Sequence, residues 1–313
     1  MSDQLIEFTE LITADGEHYP LDGIVDRALV SGPDGSGMPP IEYATQRGAY
    51  QHGATVTSYK LEPRIVQLVY RRNAHNRDQY WRIRDELVDI LRPNRQTIGS
   101  IPQPLVLRGI RPDGTIRDLD VLIALGPEFN NVGEDWDEWS IEEALRLIAH
   151  NPAYYDPNVV HIIPTFVASS ELAFPISFPI SFGVSRAVVN IDATYVGNWL
   201  AYPLITITGP SNYVRITNLT TNETITFAYP LIGGQQAVID LQSGTKSAVD
   251  PAITDITDPR RNLLGGVGGD LGTFHIEQHP MAAGGVNSIE VYFSTPTTFG
   301  SVDIAYKTRY LSN

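Results

Sequence analysis

The five residues of HIEQH, which begin at His275, carry metal-binding groups at a spacing that could bring them together. Along a β-strand, side chains two residues apart share a face, so His275, Glu277 and His279 would point in one direction. Imidazole and carboxylate groups arranged in this way can hold zinc or a similar ion. The alternation also has an explanation without a metal, because Phe274 and Ile276 would then face the core. No cysteine or other nearby histidine completes a ligand set, and we therefore expect no metal site.

Two further stretches are rich in residue types that ligand-binding or catalytic sites often use. The Gly-rich run at 263–272 has neither the G-x-G-x-x-G spacing of a dinucleotide site nor the Lys-Ser/Thr of a P-loop. The acidic run at 133–143 lacks the central glycine of a twelve-residue calcium loop, and no pair of carboxylates stands out for glycoside hydrolysis. A G-x-S-x-G nucleophile elbow is also absent from the sequence. The sequence therefore indicates no catalytic residue and no cofactor site.

The first half of the chain mixes strands with helices. Residues 55–72 alternate in polarity and predict an extended strand that is interrupted at Pro63, which cannot donate to a sheet ladder. Residues 76–93 predict a helix, because Asn76 can cap its first turn, apolar residues recur at helical spacing, and Pro93 ends it.

Two more elements follow in the same half. Residues 104–125 form two apolar runs around a Pro-Asp-Gly turn and predict a β-hairpin. Ser140 and Glu143 have the spacing of a capping box, and the apolar residues after them recur at helical spacing. We therefore expect a second helix that ends near Asn151. It could reach a neighbouring subunit or only fill space in its own domain.

From about Tyr195 onward the sequence changes character. Short β-branched runs alternate with Gly, Asn and Pro turns, and no long helical stripe occurs. This spacing predicts a β-sandwich or jelly roll. The two sequons at Asn218 and Asn222 are interpreted as turn and strand residues of one hairpin. The fold class is therefore mainly β with some α.

Composition and charge exclude several classes of protein. The 313 residues allow two domains with cores of their own, and 42% of the residues are hydrophobic, which argues against disorder. The chain has no cysteine, no run of 18 apolar residues and no signal-peptide pattern, so we expect folding in a reducing cytoplasm and no membrane span. A net charge of −14 argues against tight or sequence-specific binding to nucleic acid. Arginine outnumbers lysine, which favours subunit contacts in the first half, although a codon or growth-temperature bias would give the same composition.

The repeated phrase FPISFPISFG, residues 174–183, lies between the two halves. As a strand it would place its aromatic and isoleucine side chains on one face, while Pro175 and Pro179 would leave gaps along one edge only. We therefore predict an edge strand that carries the chain out of the first domain. The expected boundaries are a first domain at 1–173, a connecting segment at 174–190 and a second domain at 191–313.

The order of these segments resembles that of the distal tail proteins of long-tailed bacteriophages, over nearly the whole chain from about Tyr19. No single motif is diagnostic, and the likeness depends on order and spacing. The segments that carry it are MPPIEYATQRGAYQHGATV, EPRIVQLVYRR, YWRIRDELVDILRP, NPAYYDP, a Phe/Pro phrase ending in FG, GNWLAYPLITITGP, VRITNLTTNETITF, QAVIDLQ and VDIAYKTRYLSN.

The resemblance implies a structural protein of the virion, located at the tail tip or baseplate and assembled in the bacterial host cytoplasm. The first domain would be a belt, a β-barrel or sandwich with one or two helices that closes into a hexameric ring. The second would be a galectin-like β-sandwich. The ring would join the tail tube protein to the tail-tip hub or tail-associated protein and let DNA pass. The family offers no catalytic residues, and we expect no enzyme activity.

Two other functions are weighed against this one. The second domain could be a carbohydrate-binding module for host-surface saccharide, with Trp199, Tyr202 and Tyr213 stacking on sugar rings; the alternative is that these three side chains fill the core. A cell-wall hydrolase is the third option, and the sequence provides no nucleophile elbow, zinc signature or Cys/His pair for it.

Overall fold

The computed structural model describes residues 8–22, 26–95, 97–98, 100–129, 139–166, 187–242, 244, 246–278, 283–294 and 300–313. By packing, the chain divides into two units, one formed by Met1–Pro157 with Tyr310–Asn313 and the other by Asn158–Arg309. Most of the predicted connecting segment at 174–190 lies outside the described residues, and its role stays a prediction. Within the described residues, no helix has the length and apolarity needed to cross a membrane.

The first unit contains one α-helix and a series of antiparallel strands. Its elements in chain order are β1 (Phe8–Ile12), β2 (His18–Pro20), β3 (Arg27–Asp34), β4 (Ile41–Gln46), β5 (Thr55–Leu61), β6 (Arg64–Ala74), α1 (Arg77–Leu91), β7 (Thr97–Ile98), β8 (Ile101–Pro102), β9 (Leu105–Ile110), β10 (Ile116–Leu125), β11 (Trp139–Ala149) and the start of β12 (Tyr154–Ile162).

Two sheets of the first unit share strand β10. One has the order β2-β1-β9-β10, and the other has the order β10-β11-β6-β3. Apolar side chains from both sheets and from α1 form a single core, in which the hydroxyls of Tyr19 and Tyr70 lie 3.0 Å apart. The predicted barrel or sandwich with a helix is therefore confirmed.

The helix α1 forms where the sequence predicts it. The Asn76 side chain accepts a hydrogen bond from the Gln79 backbone N–H, at 2.8 Å, which satisfies one of the free donors of the first turn. The Gln79 side chain in turn accepts from the backbone N–H of His75, one residue before the position that a capping box would use. Ile83, Leu87 and their apolar neighbours on the same face are buried.

The second predicted helix is wrong. Residues 139–149 form the strand β11, which pairs along its whole length with β6 and on its other side with β10. Every second residue from Ile141 is buried, including Glu143, while Glu142, Ala144 and Arg146 are exposed. The apolar residues fit the strand period as well as the helical one, and pairing with two neighbours decides in favour of the strand.

The second unit is a β-sandwich, as predicted. Its elements are the end of β12, β13 (Ala187–Thr194), β14 (Leu204–Thr208), β15 (Tyr213–Asn218), β16 (Glu223–Phe227), β17 (Gln236–Asp240), β18 (Ser247–Val249), 3₁₀ turns at Pro259–Arg261, Leu264–Gly266 and Ala283–Gly285, β19 (Val267–Gly269), β20 (Val286–Ser294) and β21 (Ser301–Tyr310). The sheet β18-β17-β14-β21 packs through a common apolar core against the sheet β13-β20-β15-β16-β19.

Candidate assembly surface

Residues 275–278 of the HIEQH segment lie against the β-sandwich of the second unit, and their polar side chains form local contacts. Phe274 and Ile276 are fully buried, which confirms the interpretation that they face the core. Nδ1 of His275 lies 3.0 Å from Glu223, and its Nε2 lies 3.6 Å from Glu277. His279 lies outside the described residues. Over the part of the chain that is described, no group of three or more metal-ligating side chains comes together.

The three aromatic residues named for saccharide binding are all partly buried and have different surroundings. Tyr202 packs against the core of the second unit, with Nζ of Lys246 lying 4.2 Å from its ring centroid. Tyr213 lies edge-on to Tyr292, with their ring centroids 6.1 Å apart. Trp199 forms an isolated bridge with the chain near the end of β21. Nothing in these contacts tests a sugar site, so saccharide binding by Trp199, Tyr202 and Tyr213 stays a prediction.

The arginines of the first half are largely occupied inside their own unit. Arg72 contacts the carboxylates of Asp26 and Glu86, and Arg108 makes a bidentate pair with Asp118 at 2.8 Å. These contacts give the arginine-rich segment a role within the subunit. Because these arginines already have partners within the subunit, the predicted contacts between subunits would depend on other surfaces.

The hairpin of β4 and β5 is a highly exposed element of the first unit. Its strands pair in register from Ile41 with Leu61 to Gln46 with Thr55, and in the described chain neither strand pairs with a third. The tip is ordered by its own bonds, because the Gln51 side chain accepts from the Gly48 N–H at 3.0 Å. The hairpin is thus a two-stranded ribbon of defined conformation that stands in solvent.

The two faces of this ribbon differ in polarity. Side chains alternate along each strand, and residues directly opposite each other share a face. Thr57 is a bulge residue that the pairing skips, so Val56 lies opposite Thr45 and on the same face as Tyr59. The apolar ribbon face is formed by Ile41, Tyr43, Thr45, Val56, Tyr59 and Leu61. The polar ribbon face is formed by Glu42, Ala44, Gln46, Thr55, Ser58 and Lys60.

Several side chains of the apolar ribbon face are more than half exposed to solvent. Tyr43 is 57% exposed, Tyr59 55% and Val56 58%, and Tyr50 at the tip is 99% exposed. In most antiparallel sheets the apolar face packs on a core and the polar face meets water. The sequences IEYAT and TVTSYKL show the same alternation of apolar and polar residues. The alternation alone does not show which face of the strands is exposed to solvent.

The root of the hairpin is held by Arg64, the first residue after it in β6. This side chain is 1% exposed. Its guanidinium donates to the carbonyl oxygens of Gly35, at 2.8 Å, and Gly37, both just before β4. It also donates to Pro152, at 2.8 Å, and to Leu311, at 2.6 Å. One side chain thereby fixes the entry to the hairpin, the start of β12 and the C-terminal residues together.

Comparison with known proteins gives a match of fold. No protein-family model matches the chain, and neither does any curated protein. Among solved structures, the Dit protein of phage SPP1 superposes with a TM-score of 0.57 at 13% identity, covering 96% of this chain and 98% of that one. That structure is described as a paradigm of the hub adsorption apparatus in phages that infect Gram-positive bacteria. The phage P2 baseplate in its activated conformation with calcium matches with a TM-score of 0.48 at 8% identity, again covering 96% and 98%. Over 96% of its length, the chain has a fold similar to that of the SPP1 Dit protein.

Proposed function

We propose that this chain is a structural protein of a phage tail tip or baseplate. It assembles into a hexameric ring that joins the tail tube to the tail-tip hub and lets DNA pass through its centre. Its action is assembly, without a reaction. Its place is in the virion, after assembly in the cytoplasm of the bacterial host.

The observation that carries this proposal is the completeness of the structural match. A fold shared over 96% of one chain and 98% of the other includes both units and their order along the chain. A fold alone does not determine function, because one fold can serve several functions. Here the order of short sequence segments points to the same class of protein as the fold does.

The chemistry of the surface supports the same conclusion. A ring that is built from one kind of subunit uses heterologous contacts, in which one surface meets a different surface of the next copy. The first unit carries a solvent-exposed apolar ribbon face that could make such a contact. The net charge of −14 also disfavours adhesion of DNA to the protein as it passes.

The test is the mass of the full chain in solution over a range of concentrations, together with negative-stain images. We expect a species with six times the mass of the chain and ring-shaped particles with a central hole. Tail tube and hub proteins should bind to opposite sides of these rings. A chain that stays monomeric at high concentration and forms no rings with its tail partners would contradict the proposal.

A further inference from the structure

We propose that β13, an outer strand of the second unit, is a docking site for an extended basic segment of a different polypeptide, which adds to the sheet as a further strand. In the described chain β13 pairs only with β20, in a continuous register from Ala187 with Phe293 to Thr194 with Val286. In an antiparallel pair, alternate backbone N–H and C=O groups of an outer strand point away from its neighbour. A partner strand that extends a sheet binds to such groups.

β13 lacks most of the features by which proteins protect an outer strand from pairing. Outer strands are usually short, or they carry proline, lysine or a bulge. β13 has eight residues, AVVNIDAT, with neither proline nor lysine, and its pairing with β20 has no bulge. The outer strands β18 and β19 of the same sandwich have three residues each. The edge of β13 is therefore long and regular enough to accept a partner strand.

A cleft beside this edge would receive side chains of the added strand. Its volume is about 440 Å³, which lies within the range of small-ligand sites. Ile162 and Ala193 line the cleft and are almost fully buried, whereas Val160 and Ile163, which also line it, are 38% and 57% exposed. Residues opposite each other in a sheet share a face, so a residue of the added strand opposite Ala193 would point toward the core. An apolar side chain at that position would cover the exposed apolar surface of the cleft.

The charge beside this edge favours a basic partner. Asp192 is exposed on β13, and the residues that line the cleft include no lysine or arginine. His161, which also lines the cleft, has its Nδ1 2.9 Å from the carboxylate of Asp303. A lysine or arginine opposite Asp192 would form a cross-strand ion pair, which stabilises a sheet. A second copy of this chain is disfavoured by its net charge of −14, and residues 174–183 contain no charged side chain that could make this pair.

This inference goes beyond the proposed ring, because it concerns a surface of the second unit and a different polypeptide. The backbone groups of β13 would supply affinity, and the cleft together with Asp192 would supply specificity. Neither depends on self-association. The full chain can therefore be tested for strand addition whether or not it forms rings, and failure to form rings contradicts the proposed function alone.

The first experiment measures binding of two labelled synthetic peptides to the full chain by fluorescence anisotropy. Valine alternates with threonine in both peptides, and one central threonine is replaced by lysine in the first and by glutamate in the second. We expect the lysine peptide to bind at least ~3-fold more tightly, because an attractive cross-strand pair replaces a repulsive one. Asp192→Lys should reverse this preference. Asp85→Lys, the same change of charge at an exposed position of α1, should leave it within about twofold.

The second experiment follows hydrogen exchange of the backbone amides in residues 187–194 by NMR. In the chain alone, the amides that pair with β20 should exchange slowly, and those that alternate with them should exchange quickly. The lysine peptide should slow the quickly exchanging set. The amides of β19, the short outer strand at the other side of the same sheet, should not change.

Three results would overturn the proposal. The first is slow exchange of every amide of β13 in the isolated chain, because the edge would then already be covered by residues 174–183 or by a second copy. The second is binding of neither peptide, or of both with equal affinity before and after Asp192→Lys. The third is binding of the lysine peptide without slower exchange in β13, because the peptide would then dock elsewhere.

Discussion

The guanidinium of Arg64 lies 4.8 Å from the ring centroid of Tyr154, and both side chains are almost fully buried. Burial lowers the pKa of Arg64 and raises the pKa of Tyr154, since it disfavours the charged form of each group. Arginine nevertheless remains charged at any ordinary pH. Its buried charge is stabilised by carbonyl oxygens and by the aromatic face.

Replacing Arg64 with methionine should destabilise the first unit strongly. The change leaves four carbonyl oxygens in partly buried contacts without this donor, and a fully buried unsatisfied polar group costs about 1–3 kcal/mol. Because some carbonyls can relax toward water, we expect a total loss of about 3–5 kcal/mol in the free energy of unfolding, measured by urea titration. Arg71→Met is the matched control on the same strand, and its exposed ion pair with Glu142 should contribute at most ~1 kcal/mol. Equal effects of the two substitutions would show that Arg64 does not hold the root of the hairpin.

High pH should destabilise the protein through its buried tyrosines. Burial raises the pKa of Tyr70, Tyr154, Tyr155 and Tyr306, and the carboxylate of Asp120 raises that of Tyr155 further. In the unfolded chain tyrosine ionises near pH ~10, so the folded state holds these protons above that pH and the unfolded state releases them. The stability contributed by these groups is present below pH ~10 and decreases as the pH rises further.

Titration of tyrosinate absorbance measures this effect. In the native protein we expect a group of tyrosines that ionises only when the chain unfolds, whereas in concentrated urea all should ionise together near pH ~10. Tyr70→Phe should remove one tyrosine from the late group. A native titration that matches the one in urea would contradict the burial of these residues.

A charge exchange tests the pairing of β11 with β6. Arg71 and Glu142 lie directly opposite each other in this pair, and Nε of Arg71 donates to the Glu142 carboxylate at 2.9 Å. Arg71→Glu or Glu142→Arg alone should destabilise the protein, because like charges then face each other. The double substitution should restore most of the loss, with a coupling energy of about 0.2–1 kcal/mol from a double-mutant cycle. Zero coupling would contradict the strand register, and added salt should reduce the coupling.

A substitution in the second core should act on the second unit. Phe293 is fully buried on β20, and its ring centroid lies 4.8 Å from that of Phe166 in an edge-on arrangement. Phe293→Ala should lower the free energy of unfolding by about 3–5 kcal/mol, because it removes a large buried side chain and leaves a cavity. Val188→Ala, at an exposed position of the adjacent strand β13, should change it by about 0.5 kcal/mol or less. Similar losses from both changes would argue against this packing.

Local signals in the sequence were sufficient for part of the fold. The helix α1 combines a cap at Asn76, an apolar stripe and a terminal proline, and these signals agree with one another. The hairpin of β9 and β10 has its turn at Asp113 and Gly114, where the positive φ of +80° at Gly114 suits glycine. Agreement between local propensity and global fold is what makes an element predictable.

The strand β11 could not be predicted from local signals, because the roles of Glu142 and Glu143 depend on contacts distant in sequence. Ser140 and Glu143 have capping-box spacing, yet Glu143 is a buried strand residue whose carboxylate accepts the backbone N–H of Glu128 at 3.0 Å. A buried glutamate interrupts the apolar alternation that would have indicated a strand. Glu142 acquires its partner Arg71 only through the sheet pairing, about seventy residues away in sequence. Such long-range pairing leaves no local signal.

The sequence predicted a strand of the candidate surface but not the exposure of its apolar face. Alternation in residues 55–61 correctly predicts a strand, and it places Val56, Tyr59 and Leu61 among polar neighbours. Whether such a face meets a core or water depends on what packs against it, which only the fold shows. The contacts that fix the root of the hairpin also cross long stretches of sequence, from Arg64 to Leu311.

The position of Arg64 has a mechanical consequence. Pulling on the hairpin tip loads the backbone on both sides of its root, at Gly37 before it and at Pro63 after it. The carbonyl bonds of Arg64 tie the first side to the second, and they pass part of the tension to Leu311 near the opposite end of the chain. β6 continues from this point between β3 and β11, so the tension also reaches the hydrogen bonds of these two strand pairs. The contacts of Arg64 therefore anchor the root of the hairpin against extension.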